Sequence, residues 1–546
     1  MMQEITGNIV DVLGRRKYAG CVRVEGGRIV SVRELSRPVD TYLLPGFIDA
    51  HVHVESSMLT PSHFAAAAVV HGTVGSVSDP HEIANVLGIE GIEFMLRDAA
   101  NVPFKFAFGA PSCVPASMHE TAGASIDVAA TRVLLADSRI GYLSEMMNWP
   151  GVLFGDATVL AKIAAAAAVN KPVDGHAPGL RGDEAARYHA AGISTDHECF
   201  THAEALDKLA VGASILIREG SAARNLEALW PLIGSHAGRV MFCSDDKHPN
   251  DLLRGHINAL CARVIASGAD VYDVLRAACI VPVAHYGLPV GLLRVGDAAD
   301  FIEVQNLEQF TVKRTWINGV LVAENGRSLL TPTTATPLNH FRCDPIEPHQ
   351  LRVPVAGISM RVIVVDDGQI VTRQERVTPT TVRRNGNALA VADVTRDLLK
   401  IVVVNRYSSA PPAVAFVRGF GFKRGAVAGS VAHDSHNIIA VGVSDEDLCA
   451  AINAVIAEQG GLSVASASRI DLLPLPIAGL MSLHDCATVA RQYEHLEAAA
   501  NSMGSSLRSP FMTLSFMALL VIPSLKLSDR GLFDGHRFEF VPLFDS

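Results

Sequence analysis

The sequence lacks the features of a secreted, membrane-spanning or disulfide-stapled protein. Its nine cysteines are odd in number and form no CxxC pair, so a disulfide framework is not expected and a reducing compartment is. The start, MMQEITGNIV, has no basic segment followed by an apolar one, so no secretory signal is expected. The longest apolar stretches, 163–169 and 511–522, fall short of the ~20 residues of a membrane helix and are expected to be buried helices. These absences predict a cytoplasmic protein with no membrane partner.

Basic charge is also scarce. The 46 lysines and arginines are outnumbered by 56 aspartates and glutamates, which gives a net charge of −10. No broad basic face is therefore expected, and nucleic acid is an improbable partner for such a chain. Apolar residues make up 49% of the sequence and charged residues 19%, which is typical of a globular protein rather than a disordered one. We expect a small-molecule substrate, and at 546 residues we expect two or three domains.

The hydrophobic pattern divides the chain into three parts. Residues 1–44 and 290–337 are rich in short β-type runs, including a hairpin signal at Gly26-Gly27, and are expected to form one small β-sandwich domain. Residues 45–289 alternate short apolar runs with alanine-rich helical stretches, which is typical of a (β/α)8 TIM barrel. Residues 338–546 begin with frequent prolines, continue with strand-like and then helical runs, and are expected to form an additional α/β C-terminal domain.

The most informative residues lie at the ends of the expected barrel strands, where barrel enzymes place their chemistry. His51 and His53 are two residues apart on the first strand, so both imidazoles point the same way and can hold one ion of Zn, Fe or Mn. Alone this motif is weak, because two half-exposed strand histidines give the same pattern. Later strand ends carry more candidate ligands, namely Glu145, His176, His197 and Asp245. Six such ligands at one barrel mouth are enough for two divalent ions with open positions.

Several strings resemble the amidohydrolase superfamily and, within it, the microbial adenine deaminase subgroup. They are PGFIDAHVHVESS, SDPHEIANVLG, DGHAPGL, STDHECFTHAEA, CSDDKHP and GFGFKRGAVAGSVAHDSHNIIAVG. The resemblance spans nearly the whole chain, including a C-terminal region that most amidohydrolases lack. It departs at the start, where the subgroup often has extra sequence before the first β-type run.

The resemblance implies a binuclear metal centre. His51 and His53 would hold one ion, and His176 and His197 would hold the other. Glu145 would bridge the two ions, in the place where many relatives use a carbamylated lysine. Mn or Fe(II) is favoured and Zn is possible, since nitrogen and carboxylate ligands admit all three. A homo-oligomer, with a dimer favoured, is also implied.

The reaction implied by the resemblance is the hydrolytic deamination of adenine to hypoxanthine and ammonia in purine salvage. A hydroxide bridging the ions would attack C6, and Asp245, itself a metal ligand, would pass its proton to the leaving ammonia. The ring must also be protonated at N1, for which Glu198 and Glu82 are equal candidates; either could instead support a metal-bound histidine or be structural. The alternative is another amidohydrolase that acts on a cyclic amide or an N-acyl substrate. A retired, non-catalytic barrel is disfavoured, because all six ligand positions keep competent side chains.

Other polar residues are candidates for binding the substrate. His81, after the second strand, and Ser112, after the third, are expected to line the pocket. Asp246 either binds a ring nitrogen or lies in a solvated turn. His433 and His436 belong to the HDSHN cluster of the third region, which either forms a lid over the barrel mouth that contacts the substrate or is a polar network inside its own domain.

Overall fold

A computed structural model describes residues 2–221, 223–467 and 469–545. Over these ranges no helix is both long and apolar enough to cross a bilayer. All nine cysteines are free thiols, and all but Cys343 are buried.

The central region is a (β/α)8 barrel, which confirms the predicted fold class. Its first five strands pair in parallel in chain order, and so do its last three. The N–H of Ser194 donates to the carbonyl of Val173 at 2.8 Å, which connects the two sets, and a parallel bridge between Val52 and Asp245 closes the barrel. The barrel strands are Phe47–Val52, Thr73–Ser78, Lys105–Ala110, Ile140–Met146, Val173–Gly175, Thr195–Asp196, Ser214–Arg218 and Val240–Cys243.

Helices surround the barrel and begin at side-chain caps where the sequence supplies them. Asp127, Asp156 and Thr201 each accept hydrogen bonds from backbone N–H groups of the first turn that follows. The helices of this region are Pro61–Ala68, His81–Leu87, Ile89–Ala99, Val128–Ala136, Trp149–Phe154, Ala157–Ala168, Gly182–Ala190, His202–Ala210, Leu226–Leu229, Leu232–His236, Pro249–Arg254, Ile257–Ala266, Val271–Leu275 and Val281–Tyr286, with 3₁₀ turns at Val54–Ser57 and Val69–His71 and a π-helical turn at Arg276–Ile280.

The two flanks of the barrel form one eight-stranded sheet. Residues that alternate along its strands face two different cores, as the period of two in a strand requires. An internal core takes Ile9, Leu43 and Phe301, and their neighbours Val10, Leu44 and Ile302 join the core shared with the barrel. The strands are Gln3–Asp11, Arg16–Glu25, Arg28–Glu34, Tyr42–Pro45, Phe301–Val304, Val312–Ile317, Val320–Glu324 and Arg327–Ser328.

The C-terminal region contains a second eight-stranded sheet and two three-stranded sheets. Its strands are Val353–Pro354, Met360–Val364, Arg373–Val377, Thr381–Arg384, Asn387–Ala390, Leu399–Val404, Ala413–Arg418, Ala426–Gly429, Ile438–Gly442, Gly461–Ser466, Arg469–Pro474, Leu525–Ser528, Gly531–Asp534 and Glu539–Phe540. Its helices are Asp445–Ala457, Cys486–Ser502 and Pro510–Ser515, with 3₁₀ turns at Pro348–Leu351 and Phe516–Ala518.

The apolar stretch 511–522 is not one helix, contrary to the expectation from sequence. It is helical only to Ser515, passes through the 3₁₀ turn and then continues as irregular chain before Pro523. Its apolar side chains other than that of Val521 are nevertheless buried, and those of Phe516, Leu519 and Ile522 cover the barrel mouth.

Candidate active site

The seam between the first and last barrel strands brings together His51, His53 and Asp245. The Nε2 atoms of the two histidines are 3.3 Å apart, and Asp245 Oδ1 lies 3.2 Å from Nε2 of His53 and 3.6 Å from Nε2 of His51. The N–H of Asp245 donates to the carbonyl of His51 at 2.9 Å, and the N–H of His53 donates to the carbonyl of Asp245 at 3.3 Å. Asp245 has a φ of 53°, a left-handed conformation that aspartate tolerates better than most residues.

Glu145 lies at the centre of the histidines, near the end of the fourth strand. Its Oε2 is 2.9 Å from Nδ1 of His176 and 3.0 Å from Nε2 of His197. Its Oε1 is 3.5 Å from Nε2 of His53. The rings of His51 and His197 are stacked, with centroids 4.2 Å apart. One carboxylate therefore reaches both histidine pairs, which is the geometry that a bridging ligand needs.

This donor set fits divalent cations. The Nε2 atoms of His51 and His53 face each other beside Asp245. When both imidazoles are neutral, at most one of these nitrogens can donate a hydrogen bond to the other. The remaining lone pairs of the nitrogens and the carboxylate point to one place, where a divalent cation would bind them. Buried carboxylates without compensating cations are costly. The described lining of the cavity has six carboxylates against one guanidinium and five imidazoles; they belong to Glu82, Glu145, Glu198, Asp245, Asp246, Asp434, Arg218, His53, His81, His176, His197 and His433.

A second possible donor group adjoins the first. Nδ1 of His81 lies 3.1 Å from Oδ2 of Asp79 and 3.5 Å from Oε1 of Glu145. Together with His53 these residues place four ligand atoms within 4.8 Å of one another. His81 therefore lines the cavity and belongs to a second group of candidate ligand atoms.

Arg218, which sequence reasoning missed, ends the seventh strand and is buried between two carboxylates. Its Nη1 and Nη2 donate to the two oxygens of Glu198, the latter at 2.9 Å, and Nη1 also donates to Oδ2 of Asp245 at 2.7 Å. Burial opposes the charge of the guanidinium, but the two carboxylates outweigh it and raise the pKa of Arg218 further. Burial alone would raise the pKa of Asp245, but Arg218 and the two histidines of the seam, His51 and His53, hold that pKa well below its usual value. Both carboxylates are therefore held ionised and in fixed orientations.

Glu82 is held by the C-terminal region. Its Oε1 lies 2.5 Å from Nδ1 of His433, and its Oε2 is hydrogen-bonded to Nε2 of His436. Burial favours the neutral acid, but the nearby imidazoles outweigh it and lower the pKa of Glu82 well below its usual value. The ring of His433 is stacked on Phe516, with centroids 4.6 Å apart. The HDSHN cluster thus contacts the barrel mouth directly.

The same region supplies the apolar cover of the cavity through Ile370, Phe516, Leu519 and Ile522. The buried ammonium of Lys526 donates to the carbonyls of Ile370 and Phe516, both at 2.8 Å. Because Lys526 is buried, its pKa is lowered to about 7.

Two remaining candidates differ in position. Asp246 lines the cavity, is half-buried and accepts a hydrogen bond from the hydroxyl of Ser56. Ser112 is not among the residues that line the cavity. Its hydroxyl donates to the backbone carbonyl of Glu145, so it supports the strand that carries that carboxylate from behind. The polar end of the third strand is thus turned toward its neighbour rather than toward the cavity.

Comparisons with known proteins cover the whole chain. Residues 42–322 match the model of the amidohydrolase family, and residues 369–539 match the adenine deaminase C-terminal domain. The adenine deaminase of Salinibacter ruber is 54% identical over 99% of this chain and 98% of its own length. The adenine deaminase of Methanosarcina barkeri is 50% identical over 100% of both chains. A solved β-aspartyl dipeptidase from Fervidobacterium islandicum is 14% identical with a TM-score of 0.47, and the match covers 60% of this chain and 98% of that one.

Proposed function

Because the chain belongs to the amidohydrolase family and, within it, to the adenine deaminases, we propose that it hydrolyses adenine to hypoxanthine and ammonia. The observation that carries this proposal is the full-length identity of 54% to an adenine deaminase, which extends through the C-terminal region that covers the barrel mouth. The reaction replaces the amino group on C6 of the purine with an oxygen from water.

We propose that six side chains hold two divalent cations at the barrel mouth. His51 and His53 bind one and His176 and His197 the other, with Glu145 between them; Asp245 completes the set. The short distances among these ligand atoms support the assignment. Bound there, the cations would supply the Lewis acidity that lowers the pKa of water to about 7 in favourable protein sites.

Asp245 is proposed to carry the proton from water to the leaving ammonia. Its Oδ1 faces the seam histidines, and its Oδ2 is held by Arg218 at 2.7 Å. A carboxylate held ionised in this way can accept a proton without first losing one. Its fixed orientation keeps one oxygen directed at the reacting water and, after proton transfer, at the amino group on C6.

Glu82 is proposed to protonate N1 of the ring. Its carboxylate is ionised in the free site, so the proton must come from a neighbouring group: the imidazole of His433, hydrogen-bonded to Oε1, supplies a proton that Glu82 relays to the ring. Glu198 is bound instead through both oxygens to Arg218, whose guanidinium does not release protons in proteins. Glu198 is therefore proposed to orient Arg218 and, through it, Asp245.

The activity is tested with the metal-loaded full-length chain. We expect loss of the adenine absorbance with release of equimolar ammonia, and a much lower kcat/KM for a cyclic imide, an N-acyl amino acid and cytosine. Faster turnover of any of these three than of adenine would overturn the proposal.

The N1 assignment is tested with Glu82→Gln and Glu198→Gln. Since a positioned acid contributes about 10²- to 10⁴-fold, Glu82→Gln should lower kcat by that factor and remove one limb of the pH–rate profile. Glu198→Gln should lower kcat but keep both limbs. The reverse pattern would assign the acid to Glu198.

Finer features are also proposed. Mn or Fe(II) is the favoured metal, and Zn is possible; turnover after loading each in turn tests this. The reaction serves purine salvage in the cytoplasm, where free thiols such as the nine found here persist. The C-terminal region acts as the lid of the site. A homo-oligomer, with a dimer favoured, is proposed from the family resemblance, and light scattering at working concentration tests it.

A further inference from the structure

Among the residues that the structure describes, one carboxylate of the cavity lacks a hydrogen-bond partner. Asp434 of the C-terminal region lines the cavity and is 2% exposed. Its Oδ2 has no partner, and its Oδ1 lies 4.0 Å from the nearest imidazole nitrogen, Nε2 of His81. Within the described ranges no donor lies within hydrogen-bond distance of either oxygen. Such orphaned buried groups are uncommon in native proteins and indicate an absent ligand, ion or water.

The other carboxylates of the cavity are occupied. Each of them has at least one imidazole, guanidinium or hydroxyl partner within the described structure; they are Glu82, Glu145, Glu198, Asp245 and Asp246. Asp434 is therefore the group best placed to accept hydrogen bonds from a bound molecule. Its Oδ1 lies near Nε2 of His81, whereas Oε1 of Glu145 lies near Nδ1 of the same ring, so the two carboxylates occupy different parts of the cavity.

The free base and its nucleoside differ in one relevant donor. Adenine has a single N–H on its five-membered ring, at N9 or N7 according to the tautomer. A sugar or methyl group on N9 removes that N–H from both positions. A buried carboxylate gains a charge-assisted hydrogen bond from the free base and stays unpaired with the substituted one. Loss of a hydrogen bond to a charged group costs about 1.5–3 kcal/mol, so an analogue without this donor is expected to be disfavoured about 10- to 100-fold.

Building on the proposed adenine deaminase function, we infer that Asp434 accepts the imidazole N–H of the purine and thereby selects the free base against N9-substituted purines. The lid is then more than a cover, because it reads the side of the purine that lies away from the reacting carbon. The barrel supplies the hydrolytic chemistry, and the C-terminal region supplies this part of the specificity.

The test compares adenine with 9-methyladenine in the wild-type enzyme, in Asp434→Ala and in the closer isostere Asp434→Asn, which guards against loss of folding. Glu120→Gln is the matched control, because Glu120 is a buried carboxylate near Asp434 that does not line the cavity. kcat/KM is measured for both compounds, and an inhibition constant replaces it where 9-methyladenine turns over too slowly.

We expect Asp434→Ala to lower kcat/KM for adenine about 10- to 100-fold, as for the loss of a hydrogen bond to a charged group, and to leave 9-methyladenine unchanged. The ratio of kcat/KM for adenine to that for 9-methyladenine should therefore fall by the same factor in Asp434→Ala. It should fall by less in Asp434→Asn and stay unchanged in Glu120→Gln. Exclusion of the methyl group by its bulk would persist in every variant, so an equal loss for both compounds would overturn the inference. Failure of the wild-type enzyme to deaminate adenine would overturn the proposed function itself.

Discussion

Replacing Arg218 with lysine tests whether a buried fork of hydrogen bonds sets the geometry of the site. Arg218→Lys keeps the positive charge, but the ammonium cannot donate in one plane to Glu198 and also reach Asp245. Three hydrogen bonds to charged groups are formed by the guanidinium. Each such bond contributes about 1.5–3 kcal/mol, so losing the one to Asp245 should lower kcat about 10- to 100-fold. KM should change less, because Asp245 acts on the reacting water.

The assay is steady-state deamination of adenine at matched metal content. Arg139→Lys is the control: its guanidinium also forks onto carboxylates, those of Glu93 and Asp137, but it is 47% exposed. Exposed pairs contribute about 0–1 kcal/mol at most, so this variant should stay close to the wild-type rate. A kcat for Arg218→Lys indistinguishable from that of Arg139→Lys would refute the role given to the fork.

Three further outcomes are expected. Asp245→Asn should leave the fold intact by circular dichroism and lower kcat by about 10²- to 10⁴-fold, the usual contribution of a proton carrier, and a near-normal rate would remove Asp245 from that role. Dialysis against a chelator should abolish turnover, and Mn(II), Fe(II) or Zn(II) should restore it, whereas full activity of protein shown by elemental analysis to be metal-free would contradict the ligand assignment. Burial lowers the pKa of Lys526 to about 7 in the folded protein, whereas its pKa in the unfolded chain is about 10.4. Between these two pH values the unfolded chain binds one more proton than the folded one. The free energy of unfolding therefore rises with pH by at most about 1.4 kcal/mol per pH unit. Below pH 7 Lys526 is protonated in both states, so this dependence on pH ends. Lys526→Met should therefore lack the rise in thermal midpoint between pH 7 and 10 that the wild-type protein shows. Parallel plots of thermal midpoint against pH for the two proteins would contradict the lowered pKa of Lys526.

The barrel and its six candidate ligands could be predicted from sequence because each barrel strand is marked by a short, continuous stretch of the chain. A short apolar run that ends in a histidine or carboxylate identifies both a strand and its functional end, as at Glu145 and His176. Since all parallel strands of a barrel end at one face, separate local signals point to one place. The shared face of these six side chains could therefore be predicted from chain order alone.

Arg218 escaped that reasoning because an arginine at the end of ILIR reads as an ordinary solvated charge. The signal in the sequence is its position directly after the apolar residues Ile215–Ile217, where the other barrel strands carry their candidate ligands. The contacts from His433 and His436 to Glu82 join positions about 350 residues apart, and no local pattern encodes such pairing. The order of strands in the C-terminal sheet is equally non-local, since Met360–Val364 lies beside Ala413–Arg418.

The seam of the barrel has a further consequence. The two backbone hydrogen bonds that join Asp245 to His51 and His53 complete the cylinder and, at the same time, set the spacing of three proposed metal ligands. An ion bound there would link the first barrel strand to the last. Tighter cation binding would therefore also increase the free energy needed to separate these two strands. Loss of the ion should therefore increase the rate of amide hydrogen exchange more at His53 and Asp245 than in the other barrel strands.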